Sequence, residues 1–274
     1  MITNQEILKT AMAQSAEDIG CRADDFLKNE NVSVPYRPGK NVKSFMQAPI
    51  TCQLISYGNN IVAGSTDEVA DIVTAYLGRY QHYHCFETPN LHWLNERLEE
   101  KGHQVCFMSE YYLPDVNRMP ELKCAYETRV LEPADFRELY LPEWSNALCA
   151  ERSQLDMPCV GAYDDGKLIG LAGCSADCPE MWQIGIDVLP AYRQHGIGSA
   201  LTSRLAQETL KRGKVPFYSS AWSNIRSVRN GIRCGFIPAW VEMNAKPRAF
   251  VENLNRTAEE GRNEQAPRRS RAGK

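Results

Sequence analysis

The residues from Val188 to Ser199 combine glycine and arginine in a pattern that suits anion binding. They read VLPAYRQHGIGS and lie between an apolar, strand-like run and a long, helix-like run. The first amides of a helix have no partner within the helix, and the helix dipole adds positive charge there. Gly196 and Gly198 let the backbone approach a diphosphate closely, and Arg193 adds charge nearby. The segment therefore predicts a diphosphate-binding turn, although an isolated Gly-x-Gly would more often only relieve crowding.

The elements around this turn predict an α/β fold. Strand-like MWQIGIDV precedes the turn, and helix-like IGSALTSRLAQETLKRG, strand-like VPFYSSAW, helix-like SNIRSVRNGIRCG and strand-like PAWVEMNA follow it. Farther upstream, strand-like CAYETRVL leads into a helical stretch that is interrupted at Pro142, and then into a hairpin that turns at Asp164, Asp165 and Gly166. Together these elements predict one domain over residues 121–246.

The turn and its surroundings resemble the GNAT superfamily of N-acetyltransferases. The string fits the acetyl-CoA signature R/Q-x-x-G-x-G/A preceded by V-x-P-x-Y, and Asn224 opens a helix that ends in Gly235-Phe236, similar to the family's second motif. The resemblance implies a mixed, largely antiparallel sheet flanked by helices, with acetyl-CoA as co-substrate and no metal. It also implies that the two signature strands separate to admit the coenzyme, and that a strand amide near Val188 meets the oxyanion. The residues implicated in coenzyme binding are Gly185, Ile186, Val188, Arg193, Gln194, His195, Gly196, Ile197, Gly198, Ser199 and Asn224.

Three positions that often carry acid–base chemistry in this family hold other residues here. The tyrosine seven residues after the motif asparagine is replaced by Gly231, one family glutamate falls at Ser219, and another falls near Trp182 and Gln183. The usual acid and base are therefore missing. Asp187 alternates with its strand neighbours, so its side chain is expected to face away from the thioester.

Other residues are candidates for the missing roles. Glu143 and Tyr218 are the candidate catalytic groups, although an exposed helix carboxylate and a core aromatic are the ordinary interpretations of such residues. Trp144 and Asn146, in the helical stretch, and Glu87, in the first half of the chain, are candidate acceptor contacts. Because a positioned acid or base contributes about 10²–10⁴-fold, and an amine can lose its proton to water, turnover can survive without the usual groups.

Residues 1–115 predict a second α/β domain. Strand-like ITCQLISYG, helix-like TDEVADIVTAYLGRY, strand-like HYHCF, helix-like NLHWLNERLEEKG and strand-like QVCFMSEYYL follow one another. Asn90 and Gly102 correspond roughly to Asn224 and Gly235, so this half is interpreted as a degenerate copy of the same fold, with chance similarity as the alternative. Its expected role is to wall the acceptor site or to hold the domains together. The spacing of its histidines fits no common zinc pattern.

Composition sets limits on class and location. The chain of 274 residues has a formal charge of −3 and a pI near 6.0, which predicts no nucleic-acid partner. No apolar run approaches the ~18 residues of a membrane span, and the first residues lack the apolar core of a signal peptide. We therefore expect a cytoplasmic protein whose ten cysteines are reduced and mostly buried. Residues 255–274 are polar and charged, which predicts a disordered tail.

The sequence thus predicts an enzyme that moves an acetyl group from acetyl-CoA to an amine. The acceptor amine belongs to a small molecule or to a protein, and the residues do not choose between these. A non-catalytic acyl-CoA-binding or sensing protein is the alternative, motivated by the altered acid–base positions, and a scaffold with a vestigial coenzyme site is a weaker one. Assembly into a homodimer is left open.

Overall fold

Strands from both halves of the chain form one mixed sheet. The computed structural model describes residues 2–43 and 49–265, with side chains described to residue 257. The strands are β1 (Val32–Pro35), β2 (Cys52–Ser56), β3 (Val62–Ser65), β4 (His103–Pro114), β5 (Glu127–Leu131), β6 (Asp156–Asp164), β7 (Lys167–Ser175), β8 (Met181–Val188), β9 (Val215–Ser220) and β10 (Phe236–Pro247). Their order is β1-β3-β2-β10-β4-β9-β8-β7-β6-β5. Only the β1–β3 and β8–β9 pairs are parallel, so the expected mixed, largely antiparallel sheet is confirmed.

Helices cover both faces of this sheet. Within the described residues they are α1 (Asn4–Ile19), α2 (Ala70–Arg79), α3 (Thr88–Glu100), α4 (Ile197–Lys211), α5 (Ile225–Arg233) and α6 (Arg248–Gln265). Helix α4 buries Leu201 and Leu205 in a core with residues of β6, β7 and β8, as its amphipathic spacing predicts. None of the helices that the structure describes has the length and apolar character needed to span a membrane.

The last strand of each half pairs with a strand of the other half, and this pairing joins the two halves. Strand β10, from the second half, pairs with β2 of the first half, while β4, from the first half, pairs with β9 of the second. Strands β4 and β10 also pair with each other along most of their length. Residues 1–115 and 121–246 therefore share one sheet and do not form two separate modules.

The segment HYHCF is a turn and not the strand that its alternating pattern predicts. His82–His84 form a single 3₁₀ turn between α2 and α3, and Cys85 is fully buried against these helices. The Tyr76 hydroxyl donates a hydrogen bond to the Cys85 carbonyl, which ties the turn to α2. The interpretation of the first half as a degenerate copy of the second relied on a strand at this position. That interpretation therefore stays a hypothesis.

Two further local predictions differ from the structure. The helical stretch around Pro142 consists of short 3₁₀ turns at Arg137–Leu139, Pro142–Trp144 and Ala150–Leu155, because proline lacks the amide that would continue a helix. Residues 255–265, which the sequence predicts to be disordered, belong to helix α6. A helix can form there because its backbone hydrogen bonds are local and do not require a core. Residues 266–274 of that tail lie outside the described residues.

The cysteines of the described chain are free thiols. Burial raises the pKa of Cys52 and of Cys174 to about 12, so both behave as small apolar side chains. Among residues 2–43 and 49–257, no three His, Cys, Asp or Glu side chains come together in a group that could hold a metal ion.

Candidate active site

Strands β8 and β9 separate and open a cleft. Their parallel pairing extends only from Met181 to Gln183, opposite Val215 to Phe217. Beyond this point a cavity of ≈ 650 Å³, here called the cleft, lies between the two strands and the start of α5. Its lining residues are Ser109, Asn146, Gln183, Ile184, Gly185, Ile186, Asp187, Val188, Arg193, Gly198, Tyr218, Ser219, Ser220, Ala221, Asn224, Arg226, Ser227 and Asn230. The separation expected for the signature strands is present.

The backbone of β8 directs hydrogen-bonding groups into this cleft. The Leu189 amide donates to the Ile169 carbonyl on the β7 side, at 3.0 Å. Because successive amides of a strand point to opposite sides, the amides of Val188 and Ile186 point toward the gap. The Val188 carbonyl accepts a hydrogen bond from Arg193 Nε at 2.9 Å. The strand amide near Val188, expected to meet an oxyanion, is thus directed into the cleft.

The glycine turn begins helix α4 with its amides uncapped. Gly196 is the residue before the helix and has φ 77°, a left-handed conformation that glycine adopts without steric cost. Gln194 is also left-handed, with φ 69°. No side chain caps the helix, so its first amides remain available to a ligand.

A second cavity, of ≈ 610 Å³, lies over this turn and is here called the phosphate groove. The two cavities form one continuous channel, because they share Val188, Arg193, Gly198, Arg226 and Asn230. The residues that line the groove are Val188, Pro190, Tyr192, Arg193, Gln194, Gly196, Ile197, Gly198, Ser199, Arg226, Arg229, Asn230 and Arg233.

Most of the residues implicated in coenzyme binding line this channel. His195 is an exception, because its side chain is exposed outside the lining. The Ile197 side chain is only 2% exposed and belongs to the core, so only its backbone can serve a ligand. Asn224 lines the cleft, but its Oδ1 accepts a hydrogen bond from the Ser227 amide at 3.3 Å and caps α5. A contact between Asn224 and the coenzyme stays a prediction.

Three arginines of α5 complete the groove, and the sequence reasoning missed them. Arg226, Arg229 and Arg233 all line it. Their spacing of three and four residues places them on one face of the helix. That spacing was a usable signal in the sequence. Together with the α4 amides, these guanidinium groups make the groove strongly favourable to phosphates.

Arg229→Ala is expected to weaken the binding of acetyl-CoA by roughly twofold to fivefold, because an exposed ion pair contributes about 0.2–1 kcal/mol. The difference should shrink at high salt, because exposed charges are screened. Calorimetric titration at two salt concentrations measures both effects. Arg22→Ala, which removes an exposed guanidinium from the first half, is the control and should bind as the unaltered protein does. An equal loss in both variants would contradict a phosphate contact at Arg229.

Two of the altered acid–base positions meet at the inner end of the cleft. Gln183 Nε2 donates a hydrogen bond to Ser219 Oγ at 2.7 Å, so an amide and a hydroxyl occupy the places where family glutamates would fall. Both side chains are polar but uncharged, and neither can take up a proton near neutral pH. A positioned base is therefore not supplied by these two residues.

Tyr218 occupies the space beside the third altered position. A Cβ added to Gly231 would lie 3.3 Å from Cδ1 of Tyr218, so the ring packs directly over the glycine. The Tyr218 hydroxyl is 2.8 Å from Ser227 Oγ, and the residue lines the cleft. Burial raises the pKa of Tyr218, which keeps the phenol protonated near neutral pH. The structure thus brings a protonated hydroxyl to the cleft from strand β9, whereas Gly231 lies in helix α5.

The structure does not bring Glu143, Trp144 or Glu87 to the cleft. Glu143 is exposed on a 3₁₀ turn, because the turn at Pro142 directs it toward solvent. Trp144 is 3% exposed and packs in a core with Phe136, so its role as an acceptor contact stays a prediction that its burial does not favour. Glu87 precedes α3 in the first half and lies 2.8 Å from the His84 imidazole. None of the three lines the cleft or the groove.

Asn146 does line the cleft, and Asp187 holds it there. The Asp187 carboxylate accepts hydrogen bonds from the Asn146 amide at 2.8 Å, from Asn146 Nδ2 at 2.6 Å and from the Ala147 amide at 3.0 Å. Gly185 permits this close approach, because a Cβ there would lie 1.8 Å from the Asn146 carbonyl oxygen. Asp187 therefore positions a loop, and its charge is engaged by three N–H donors.

Comparison with known proteins agrees with this geometry. The sequence profile of the acetyltransferase (GNAT) family matches residues 122–236. Residues 122–236 are therefore similar to a GNAT acetyltransferase domain. The matched segment, here called the GNAT domain, contains the cleft strands, the glycine turn and helices α4 and α5. No curated protein matches the chain at a significant level.

Solved structures with similarity to the chain include several acetyltransferases. A GNAT-family acetyltransferase from Colwellia psychrerythraea is 17% identical, with a TM-score of 0.40, over 53% of this chain and 57% of its own. A GCN5-related N-acetyltransferase-like protein from Streptococcus suis is 15% identical, with a TM-score of 0.44, over 73% of this chain and 85% of its own. The protein yncA from Salmonella typhimurium, whose structure holds its cofactor acetyl-CoA, is 17% identical, with a TM-score of 0.35. The similarity covers 46% of this chain and 95% of yncA. Because these TM-scores are low, the similarity to the GNAT family rests on the match over residues 122–236.

A third cavity, of ≈ 380 Å³, lies where the GNAT domain meets the first half, and it is here called the seam cavity. It shares Ser109, Gln183 and Ser219 with the cleft, so it opens from the cleft's inner end. Its lining residues are Ile50, Gln53, Phe107, Ser109, Tyr111, Arg152, Gln183, Ser219, Glu242, Asn244, Lys246 and Phe250. Sequence reasoning missed this cavity, because its walls come from strands that are distant in the chain.

Proposed function

We propose that this protein transfers an acetyl group from acetyl-CoA to an amine. The observation that carries the proposal is the continuous channel in the GNAT domain, which joins a cationic groove at a helix N-terminus to a gap between two parallel strands. A diphosphate attached to an extended arm that ends in a thioester is complementary to such a channel. The seam cavity at the inner end then offers room for an acceptor.

Coenzyme binding follows from the charges and backbone groups along the channel. The amides at the start of α4 would hold the diphosphate, with Arg193 and the α5 arginines adding positive charge. The pantetheine arm would lie along β8, where the outward amides and carbonyls offer the pairing that β9 does not supply. The thioester would then lie near the Val188 amide.

The transfer itself needs one bond to form and one to break. The lone pair of the acceptor nitrogen attacks the acyl carbon and forms the C–N bond, while the Val188 amide stabilises the oxyanion. The C–S bond then breaks, the leaving thiolate takes a proton from the Tyr218 hydroxyl, and the phenolate regains a proton from water. The surplus proton of the amine passes to water, because Gln183 and Ser219 cannot accept it. Alignment of amine and thioester supplies most of the rate gain, up to roughly 7–11 kcal/mol.

Titration with acetyl-CoA followed by a free-thiol assay tests this proposal. We expect acetyl-CoA at 100 times its dissociation constant to stabilise the fold by about 2.7 kcal/mol, seen as a higher melting temperature. We also expect thiol release that depends on the amine, measured over a panel of small amines and lysine-containing peptides. Hydrolysis without any amine is the control. Binding with no amine-dependent release across the panel would contradict acetyl transfer.

A non-catalytic acyl-CoA sensor is the second candidate function. It is favoured by the uncharged Gln183–Ser219 pair, which stands where acid–base carboxylates are expected. The same experiment separates the two functions, because a sensor would be stabilised by acetyl-CoA and would release no thiol.

A further inference from the structure

The seam cavity has a polar floor that both halves of the chain build. Across the β4–β10 pair Glu242 lies opposite Ser109, and across the β2–β10 pair Asn244 lies opposite Gln53. Neighbours in register project from the same face of a sheet, so these side chains line one surface. Ser109 also lines the cleft, which places one end of this surface beside the expected thioester.

The carboxylate in this floor is already matched by donors. Glu242 Oε1 accepts hydrogen bonds from Lys43 Nζ and from Trp240 Nε1, each at 2.7 Å. Its Oε2 accepts a weaker one from Gln53 Nε2 at 3.2 Å. Arg152, on the opposite wall, forms an ion pair with Asp177. Neither charge therefore requires a ligand.

Lys246, at the other end of the floor, is different. Lys246 is only 3% exposed. Its ammonium donates a hydrogen bond to the Pro49 carbonyl at 3.3 Å and lies 4.9 Å from the centre of the Phe250 ring. Among the described side chains, no carboxylate lies within ion-pair distance of this ammonium. Burial lowers the pKa of Lys246, as expected for a cation that lacks a counter-ion.

A buried cation that faces a cavity without an anion is a site that an anionic group can complete. Lys246 lies four residues along β10 from Glu242, which is roughly 13 Å at the rise of a strand. A ligand with an anionic group at Lys246 can therefore extend toward Ser109 and the cleft. The cavity volume of ≈ 380 Å³ suits a small molecule.

Resting on the acetyl transfer proposed above, we propose that the acceptor is a small ω-amino carboxylate, whose carboxylate pairs with Lys246 while its terminal amine, several methylene groups away, lies beside Ser109 and Ser219 at the thioester. The first half of the chain then supplies part of the acceptor site, because Ser109 and Gln53 belong to it. Specificity for the carboxylate comes from Lys246, because it is the charged group of the cavity floor for which the described residues supply no counter-ion.

Matched acceptors test this proposal with the full-length protein. The probes are lysine, 4-aminobutanoate and 6-aminohexanoate, each compared with its methyl ester, which keeps the amine and removes the negative charge. We expect kcat/KM for the preferred amino carboxylate to exceed that of its ester by about tenfold or more, measured by thiol release. Esters or neutral amines that are acetylated as efficiently as the carboxylates would overturn the proposal.

Lys246→Met keeps the length of the side chain and removes its charge. We expect the KM for the amino carboxylate to rise about tenfold or more, with the KM for acetyl-CoA and the activity toward the ester unchanged. Lys246→Arg should restore part of the selectivity, and Lys167→Met, at an exposed hairpin residue, is the matched control. An unchanged preference in Lys246→Met would overturn the proposal. The acceptor comparison does not depend on either variant folding.

Failure of this proposal and failure of acetyl transfer give different results. Thiol release with neutral amines, but with no preference for carboxylates, would overturn only the amino carboxylate. If no amine releases thiol, the proposal of acetyl transfer fails. The carboxylate site is then tested by ligand binding alone. In that case the same amino carboxylates should still raise the melting temperature of the coenzyme-loaded protein and should not do so in Lys246→Met. No stabilisation by any of them would overturn the carboxylate site.

Discussion

Gly198→Val is expected to lower the affinity for acetyl-CoA by about 100-fold while the protein remains folded, a loss equivalent to roughly 2.7 kcal/mol. Gly198 lines both the cleft and the phosphate groove, so the added methyl groups would occupy space that the diphosphate needs. We expect the fold to accommodate the change, because a Cβ at Gly198 meets its nearest neighbours, side-chain carbons of Ile186 and Val188, at an ordinary contact distance of 3.7 Å. Calorimetric titration measures the affinity, and circular dichroism checks the fold.

Gly78→Val is the matched control for this prediction. Gly78 lies in α2, in the first half, and an added Cβ there has no neighbour within 4 Å. This variant should bind acetyl-CoA as the unaltered protein does. If Gly198→Val bound acetyl-CoA with undiminished affinity, the phosphate groove would not be the coenzyme site, and the proposed function would lose its main support.

Tyr218→Phe is expected to lower kcat by about 100-fold and to leave the dissociation constant of acetyl-CoA unchanged. The Tyr218 phenol is protonated and lines the cleft beside Gly231, where the family tyrosine is absent. A positioned acid raises the rate by roughly 10²–10⁴-fold. An acid acts only while it holds its proton, and burial raises the pKa of Tyr218. The alkaline decline of kcat that this group causes should therefore lie above the ordinary tyrosine pKa of about 10.

Tyr112→Phe removes the same atom from a neighbouring buried tyrosine and is the control. The Tyr112 ring packs edge to face against Tyr218, with centroids 6.4 Å apart, but its hydroxyl donates to Glu110 and the residue does not line the cleft. We expect kcat to change little in this variant. Equal losses in the two variants would indicate a packing effect, and full activity in Tyr218→Phe would assign the leaving-group proton to another donor or to water.

The phosphate turn shows how far local sequence reaches. Gly196 and Gly198 between a strand pattern and a helix pattern were sufficient to place the turn, because the left-handed conformation and the uncapped amides depend on residues within one short segment. The arginine face of α5 is equally local, because the spacing of Arg226, Arg229 and Arg233 alone places them on one side of the helix. By contrast, the HYHCF pattern misled, because alternation alone does not distinguish a strand from a buried turn.

The sequence by itself predicted a GNAT-like segment, the position of its glycine turn and the largely antiparallel class of the sheet. Only the tertiary structure decided that β4 and β10 exchange places, that the Tyr218 ring fills the space beside Gly231, and that Lys246 faces a cavity between the halves. The physical reason is range. A turn or helix face is stabilised by neighbours in the chain, whereas strand partners are selected by the free energy of the whole sheet, which no local periodicity records.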